Sequence, residues 1–265
     1  VRPSNFAAHW VETDTVLYKA PAGTTRVEML FSPDASLTNN VAGGFNGNFS
    51  TVVLGAGTNP QIPYLRDLSS WPAYSLPAGA VSNAKAIARS QIYIVAKNAS
   101  GAVLAVTRTQ NSGALDDLYA ASAKDVELGP TYSAGVPSLK VWAPTALLDP
   151  GVSVQLWDAD GSAYGAPRPM TLDPATGVWS ITGEADWDRK FYTYQLRVYT
   201  NFGDTIVSNE VSDPYAVSGN TGGARSQLVN LDDADLKPAG WDSLAKPDLA
   251  APEDAVIYEL HVRDF

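Results

Sequence analysis

The side chains able to do chemistry in this sequence are carboxylates and aromatic rings. It holds 28 acidic residues, 7 Trp and 12 Tyr, but no Cys and only two His. The absence of Cys removes thiolate nucleophiles, disulfides and Cys-based zinc sites. His9 and His261 are too isolated to form a metal pair. Two Asp alternate before a Gly in Leu156-Trp157-Asp158-Ala159-Asp160-Gly161-Ser162, as in a calcium loop. Pro167 stands where such a loop needs its bidentate Glu, so the run reads as an Asp-rich hairpin turn. Asp232, Asp233 and Asp235 read as a solvated acidic loop rather than a cation site. A mixed cluster, Tyr258, Glu259, His261, Arg263 and Asp264, stands at the end of the chain. Glu259 and Asp264, five apart on one strand, face opposite sides and cannot flank one bond.

These groups need elements to hold them, and the patterning is that of strands. With 265 residues, 45% hydrophobic and 17% charged, the chain reads as globular, with room for about two domains of ~150 residues. Short β-branched and aromatic runs are separated by Gly, Pro, Asn and Ser clusters. In the first half these runs include 16–18, 26–31, 49–54, 91–96 and 102–106, with a hairpin loop at 97–101 and an exposed Gly/Asn loop at 39–48. Residues 114–124 switch to helical spacing behind Ser112 and Gly113. A second β-rich block follows Gly129-Pro130. Within it, Phe191 to Tyr199 alternates sharply, as a half-buried strand requires.

Residues 213–254 are rich in Pro, Gly and Asp with little periodicity and read as an extended connector. Residues 255–265 read as a strand with Val256, Tyr258, Leu260 and Val262 on one face and Ile257, Glu259, His261 and Arg263 on the other. Such a strand must pair with something, and its polar face is costly to bury alone. It therefore reads as the first element of a further domain. The expected fold class is all-β: two immunoglobulin-like β-sandwich domains in tandem, followed by the first strand of an incomplete (β/α)8 barrel. The expected boundaries are 1–113 for the first sandwich, 114–128 for a helical connector, 129–212 for the second sandwich, 213–254 for the extended connector and 255–265 for the barrel strand. A formal net charge of −10 disfavours nucleic acid and anionic membranes and suits neutral ligands. No run is long enough to span a membrane, and no charged-then-apolar leader opens the sequence.

Val256-Ile257-Tyr258-Glu259-Leu260-His261-Val262-Arg263-Asp264-Phe265 resembles the first barrel strand of the debranching branch of glycoside hydrolase family 13, above all type I pullulanases. Val141-Trp142-Ala143-Pro144-Thr145-Ala146 is similar to the opening strand of a family 48 carbohydrate-binding module. Val211-Ser212-Asp213-Pro214-Tyr215-Ala216 and Leu236-Lys237-Pro238-Ala239-Gly240-Trp241-Asp242 resemble the connector between that module and the barrel. His9-Trp10-Val11 and Leu115-Asp116-Asp117-Leu118-Tyr119-Ala120 look like the bounds of the β-sandwich domain before the module.

The resemblance implies a parent enzyme that hydrolyses α-1,6-glucosidic branch links in pullulan, amylopectin and limit dextrins with retention. Its catalytic carboxylates lie on later barrel strands whose motifs are absent here, so no catalytic residue is assigned and this portion alone is expected to be inactive. The implied partners are the remaining barrel and C-terminal domain, continuous with this chain or held as a nicked second chain, and an α-glucan. The resemblance names no certain cofactor and leaves calcium open for the parent. The implied location is a secreted or cell-surface bacterial protein. For the glucan, Trp157, Trp187, Tyr164 and Lys190 are the candidate contacts, because flat rings stack on sugar faces and polar neighbours read hydroxyls. Charge flanking Trp187 places it toward solvent, although Trp157 and Trp187 read equally well as core, and Trp142 and Trp179 read as core. The alternative is a stand-alone glucan-binding or scaffold protein without a hydrolytic partner, or a purely structural spacer.

Overall fold

The computed structural model of the chain describes residues 2, 3, 5–40 and 44–261. All-β organisation holds, with few helices. Seven strands make the first block: β1 (Ala8–Glu12), β2 (Thr15–Tyr18), β3 (Arg26–Ser32), β4 (Ser50–Ala56), β5 (Ala73–Ser75), β6 (Gln91–Lys97) and β7 (Val103–Gln110). Their order is β1-β2-β5-β4-β3-β6-β7, and the sheet closes on itself. Closure is made where β1 runs parallel to β7, pairing Ala8 with Thr109 and His9 with Gln110. An open sandwich was the expectation, and a closed barrel is the finding. Strand alternation is the same in both, so the periodicity of the runs could not separate them.

The barrel interior holds Trp10, Val16, Val27, Met29, Ile92 and Ile94. It is plugged by α1 (Ala78–Val81), α2 (Ala84–Ile87) and the 12-residue α3 (Ser112–Ala123), which contribute Ala80, Ala84, Ile87 and Ala114. Helix α3 begins at the Ser112-Gly113 pair that precedes the expected span. A Cβ on Gly113 would lie 2.7 Å from the Val11 carbonyl oxygen, so glycine lets the helix approach β1. The outer face of β3 and β6 carries Leu30, Tyr93 and Val95, against which Phe45 and Phe49 pack. The segment read as an exposed loop therefore contains apolar cover, with Thr38–Asn39 paired to Phe45–Asn46. The hairpin expected at 97–101 is present, closed by Asn98 and Ala102 between β6 and β7.

The second block has two sheets, with strands β8 (Gly129–Ser133), β9 (Val136–Trp142), β10 (Ser153–Trp157), β11 (Thr171–Asp173), β12 (Val178–Thr182), β13 (Phe191–Thr200) and β14 (Thr205–Val211). One sheet orders β8-β9-β12-β11. In the other, β13 lies between β10 and β14. The two share one core: Leu139, Val141 and Trp179 from the first sheet meet Val154, Leu156, Tyr192 and Tyr194 from the second. Leu228 joins that core, and Ser226–Gln227 pairs with Phe191 and Tyr192. The stretch from Asp213 to Val229, expected as connector, thus belongs to the second block, and the compact unit ends at Val229. Buried Asp213 accepts hydrogen bonds from the Tyr192 hydroxyl at 2.8 Å and the Tyr194 hydroxyl at 3.1 Å, and its backbone N–H donates to Ser226. Burial pushes both phenols above their ordinary pKa, so they stay protonated.

Among the described residues, barrel and second block meet at two places. At one, Lys85 donates to the Pro174 carbonyl at 2.6 Å and Ser122 to the Ala175 carbonyl at 2.8 Å. The Tyr119 and Trp142 rings meet edge to face beside Gly177. At the other, the turn between β13 and β14 inserts Asp204, which is fully buried. Gln91 donates to Asp204 Oδ1 at 3.0 Å, Tyr199 donates at 2.5 Å, and Tyr93 donates to Oδ2. Arg2 and Arg108 approach the same carboxylate at 3.6 and 3.7 Å.

From Asn230 onward the chain forms a separate unit. It carries short turns at Ala234–Leu236, Trp241–Ser243 and Pro252–Asp254. Lys237 bridges Asp232 at 3.5 Å and Asp242 at 3.1 Å. The strand expected over 255–265 is not formed at 255–261, where Val256 is 98% and Tyr258 74% exposed. A strand exists through its ladder, and among the described residues this segment has no strand partner. Val262, Arg263, Asp264 and Phe265 lie outside the described residues.

Two outcomes follow from the joints. Asp204→Ala removes the carboxylate shared by Gln91, buried Tyr93, half-buried Tyr199 and two guanidiniums, so urea unfolding is expected to show a loss of about 3–5 kcal/mol. Tyr119→Phe is expected to be neutral or stabilising by the same measurement, because the Tyr119 hydroxyl is buried without a partner.

Candidate functional site

The candidate residues of the second block divide into a surface cluster and a core residue. Trp157 ends β10 and is half-buried. Its Nε1 donates to Thr193 Oγ1 at 3.1 Å, while the Arg225 guanidinium lies 3.8 Å from its ring centroid. Asp158 follows it and accepts from Lys190 Nζ at 2.9 Å. That same ammonium stands 3.8 Å from the centroid of the half-buried Tyr164 ring, whose hydroxyl donates to Asp186. Trp157, Tyr164 and Lys190 are therefore brought together, linked through Asp158.

Trp187 is not part of this cluster. It is only 2% exposed and packs in the core with Trp179 and Tyr192, so the expectation of a solvent-facing ring is corrected. The charged residues around it mark a short turn, Ala185–Trp187, which directs the indole inward against Gly183 while Glu184 and Asp186 stay exposed. Adjacent residues in such a turn point in different directions, which is why local charge misled here. Trp142 and Trp179 point to backbone carbonyls, Thr176 at 2.9 Å and Ala143 at 3.1 Å.

The turn itself explains the alternating Asp pair. Asp160 Oδ1 accepts from the Ser162 N–H at 2.8 Å and its hydroxyl at 2.6 Å, and Gly161 takes a left-handed φ of 88°. Ser162 bonding holds the exposed Asp160 carboxyl below its ordinary pKa. Among the described residues no three His, Asp or Glu side chains group as a metal site.

Sequence reading missed what lies beside Trp157 on the outer face of the second sheet. Thr193 passes the indole hydrogen bond on to Glu210 Oε1 at 2.9 Å, and Gln195 donates to Glu210 Oε2 at 3.3 Å. Ser153, Gln195, Arg197, Asn209 and Glu210 line a groove of about 320 Å3. The signal was present in the alternation of β13, where Thr193, Gln195 and Arg197 share the face opposite Tyr192 and Tyr194. Only the cross-strand register, Gln195 to Glu210 and Arg197 to Ser208, identifies their companions.

The electrostatics of the cluster fix its charge state. Bonding to Asp158 raises the Lys190 pKa above its ordinary 10.5, and bonding to Asp186 raises that of the Tyr164 phenol above 10.0. Lys190 is thus a cation and Tyr164 neutral through the physiological range. Planar amide, carboxylate and guanidinium groups beside two rings can read hydroxyls and support a sugar face. Of the other candidates, Tyr258, Glu259 and His261 are exposed and belong to the second unit, while Arg263 and Asp264 lie outside the described residues.

Residues 5–117 match the Pullulanase N2 domain and residues 127–216 match carbohydrate-binding module 48, the isoamylase N-terminal domain. The chain is 33% identical over 267 residues to a Klebsiella pneumoniae pullulanase, aligning 97% of this chain with 23% of that protein. It is 33% identical over 272 residues to the chloroplastic pullulanase 1 of Arabidopsis thaliana, with 97% and 26% covered. The crystal structure of K. pneumoniae pullulanase complexed with maltotriose superposes with a TM-score of 0.84 at 33% identity, covering 92% of this chain and 22% of that one. The chain spans about a quarter of the length of these relatives.

Two checks apply, one to the core ring and one to the surface cluster. Trp187→Ala is expected to cost about 3–5 kcal/mol of stability in denaturant, as loss of a core ring does. The Lys190 contribution sits below the ordinary lysine pKa and is lost only as pH rises through the raised value. Any ligand affinity of the cluster, measured by calorimetry, is therefore expected to be flat from pH 6 to 9, about the interval between ordinary carboxylate and lysine titrations.

Proposed function

Since the chain belongs to the pullulanases, as the region that pairs a Pullulanase N2 domain with a carbohydrate-binding module 48, we propose that it is the non-catalytic N-terminal portion of a starch-debranching enzyme and that its second block contacts α-glucan. The parent enzyme would hydrolyse α-1,6 branch links with retention, through carboxylates carried outside these residues. Its remaining barrel would be the principal partner, taking up the exposed apolar side chains of 256–260.

The observation that carries the glucan reading is the joining of Trp157, Tyr164 and Lys190 to the groove of Gln195, Arg197 and Glu210 through the bond from Trp157 to Thr193. The rings supply stacking area, and the planar polar groups supply hydroxyl partners. Each ring keeps a cation over one face, so a sugar would stack on the other face or displace Arg225 from Trp157.

A specific observation also favours the spacer reading. Arg225 and Lys190 already satisfy the two rings, which suits rings that only close the end of the block.

Affinity electrophoresis in amylopectin distinguishes these readings. Retardation of the chain, weakened about tenfold in Trp157→Ala and Gln195→Ala while both variants melt cooperatively, is the outcome of glucan binding. Unretarded migration at all amylopectin concentrations leaves the spacer. Reducing-end assays on pullulan are expected to stay at background with this chain alone.

A further inference from the structure

Between the barrel and the second block lies a cavity of about 170 Å3 whose walls come from both. Arg89, Ser90 and Asn111 line one side, and Thr145, Tyr199 and Asn201 the other. It is separate from the Trp157 cluster, sharing no lining residue with the groove of Gln195 and Glu210.

The polar groups of this cavity are unevenly provided for. Arg89 follows α2, and its Nη1 donates to the Lys85 carbonyl at 3.2 Å. Its Nε is buried and has no acceptor, and among the described residues no carboxylate pairs with its guanidinium. Arg2 and Arg108, by contrast, both face Asp204. Asn111 stands before α3 yet makes no side-chain cap hydrogen bond. Asn201 Oδ1 already accepts from the Tyr199 hydroxyl at 3.1 Å, which leaves its NH2 to offer. Thr145 adds a hydroxyl. The lining is therefore rich in donors and holds no carboxylate.

A guanidinium presents five N–H donors in a planar fork, and a buried donor left without an acceptor costs free energy that a matching ligand relieves. The group that matches the fork is an oxyanion, which it can hold through two parallel charge-assisted bonds. Size points the same way. At ~30 Å3 per water the space equals about five or six waters, well under the ~300–1,000 Å3 of sites for larger ligands. A glucan chain does not fit, whereas a phosphate or a small carboxylate does.

We propose that this cavity is a binding site for a small oxyanion, a phosphate or carboxylate group, held by Arg89 with Asn111, Thr145 and Asn201. Because both blocks contribute walls, occupancy favours the joined arrangement and raises the melting temperature with anion concentration.

Isothermal titration calorimetry of the 265-residue chain with sodium phosphate and with sodium malonate, at ionic strength fixed by chloride, tests this. Saturable binding of phosphate, malonate or both is expected, weakened about tenfold or more in Arg89→Gln and in Thr145→Val and unchanged in Arg168→Gln. Phosphate alone assigns the site to phosphoryl groups, malonate alone to carboxylates. Should Arg89→Gln fail to fold, as circular dichroism would show, the milder Thr145→Val decides. Absence of saturable binding by either anion overturns the proposal, as does full affinity in the folded variants. Saturable binding of maltose with the same sensitivity to Arg89 overturns it in favour of a neutral-sugar pocket.

Discussion

One buried carboxylate joins the two β blocks. Asp204 has no solvent exposure, so its charge is tolerable only because Gln91, Tyr93 and Tyr199 donate to it and Arg2 and Arg108 stand within 4 Å. These partners come from the amino-terminal segment, from β6 and β7 of the barrel and from β13 of the second block. Satisfying the charge therefore fixes where the β13–β14 turn sits against the barrel. Tyr93 and Tyr199 are held protonated, since burial and the adjacent carboxylate both push their pKa values up. The strand that carries Tyr199 also carries Thr193 and Gln195, so the joint and the candidate surface share one element.

Much of this was legible in the sequence because strand period and turn chemistry are local properties. The Phe191–Tyr199 alternation reported a half-buried strand with two distinct faces, and Lys97 to Gly101 reported a hairpin, each from a few neighbouring residues. Closure of the barrel was not legible. It depends on a parallel contact between residues about a hundred apart, Ala8 with Thr109, and no local pattern encodes that register. Asp204 was equally silent: in the sequence Asn201-Phe202-Gly203-Asp204 is an ordinary polar turn, and its burial is decided wholly by the barrel face it meets.

The candidate surface was half legible for the same reason. Trp157, Tyr164 and Lys190 were found because ring and charge types are visible, and the bond between Lys190 and Asp158 holds them together as their proximity in the block requires. Trp187 was misread because flanking charge says nothing about which way a turn points its central ring. The groove was missed because Glu210 belongs to the face only through its register opposite Gln195. The terminal strand marks the limit of pattern reading. Its alternation is real, but alternation supplies side-chain faces and not the hydrogen-bonding neighbour that a strand needs.

The proposal that the second block contacts glucan rests on its stacking rings, its planar polar groups and a charge state fixed across neutral pH. The most direct measurement is hydrogen–deuterium exchange of the chain with and without saturating β-cyclodextrin. Protection confined to 155–164 and to the facing strands at 193–197 and 207–211 is the result expected if this surface binds glucan. Unchanged exchange there, or protection only on the barrel, would contradict the account.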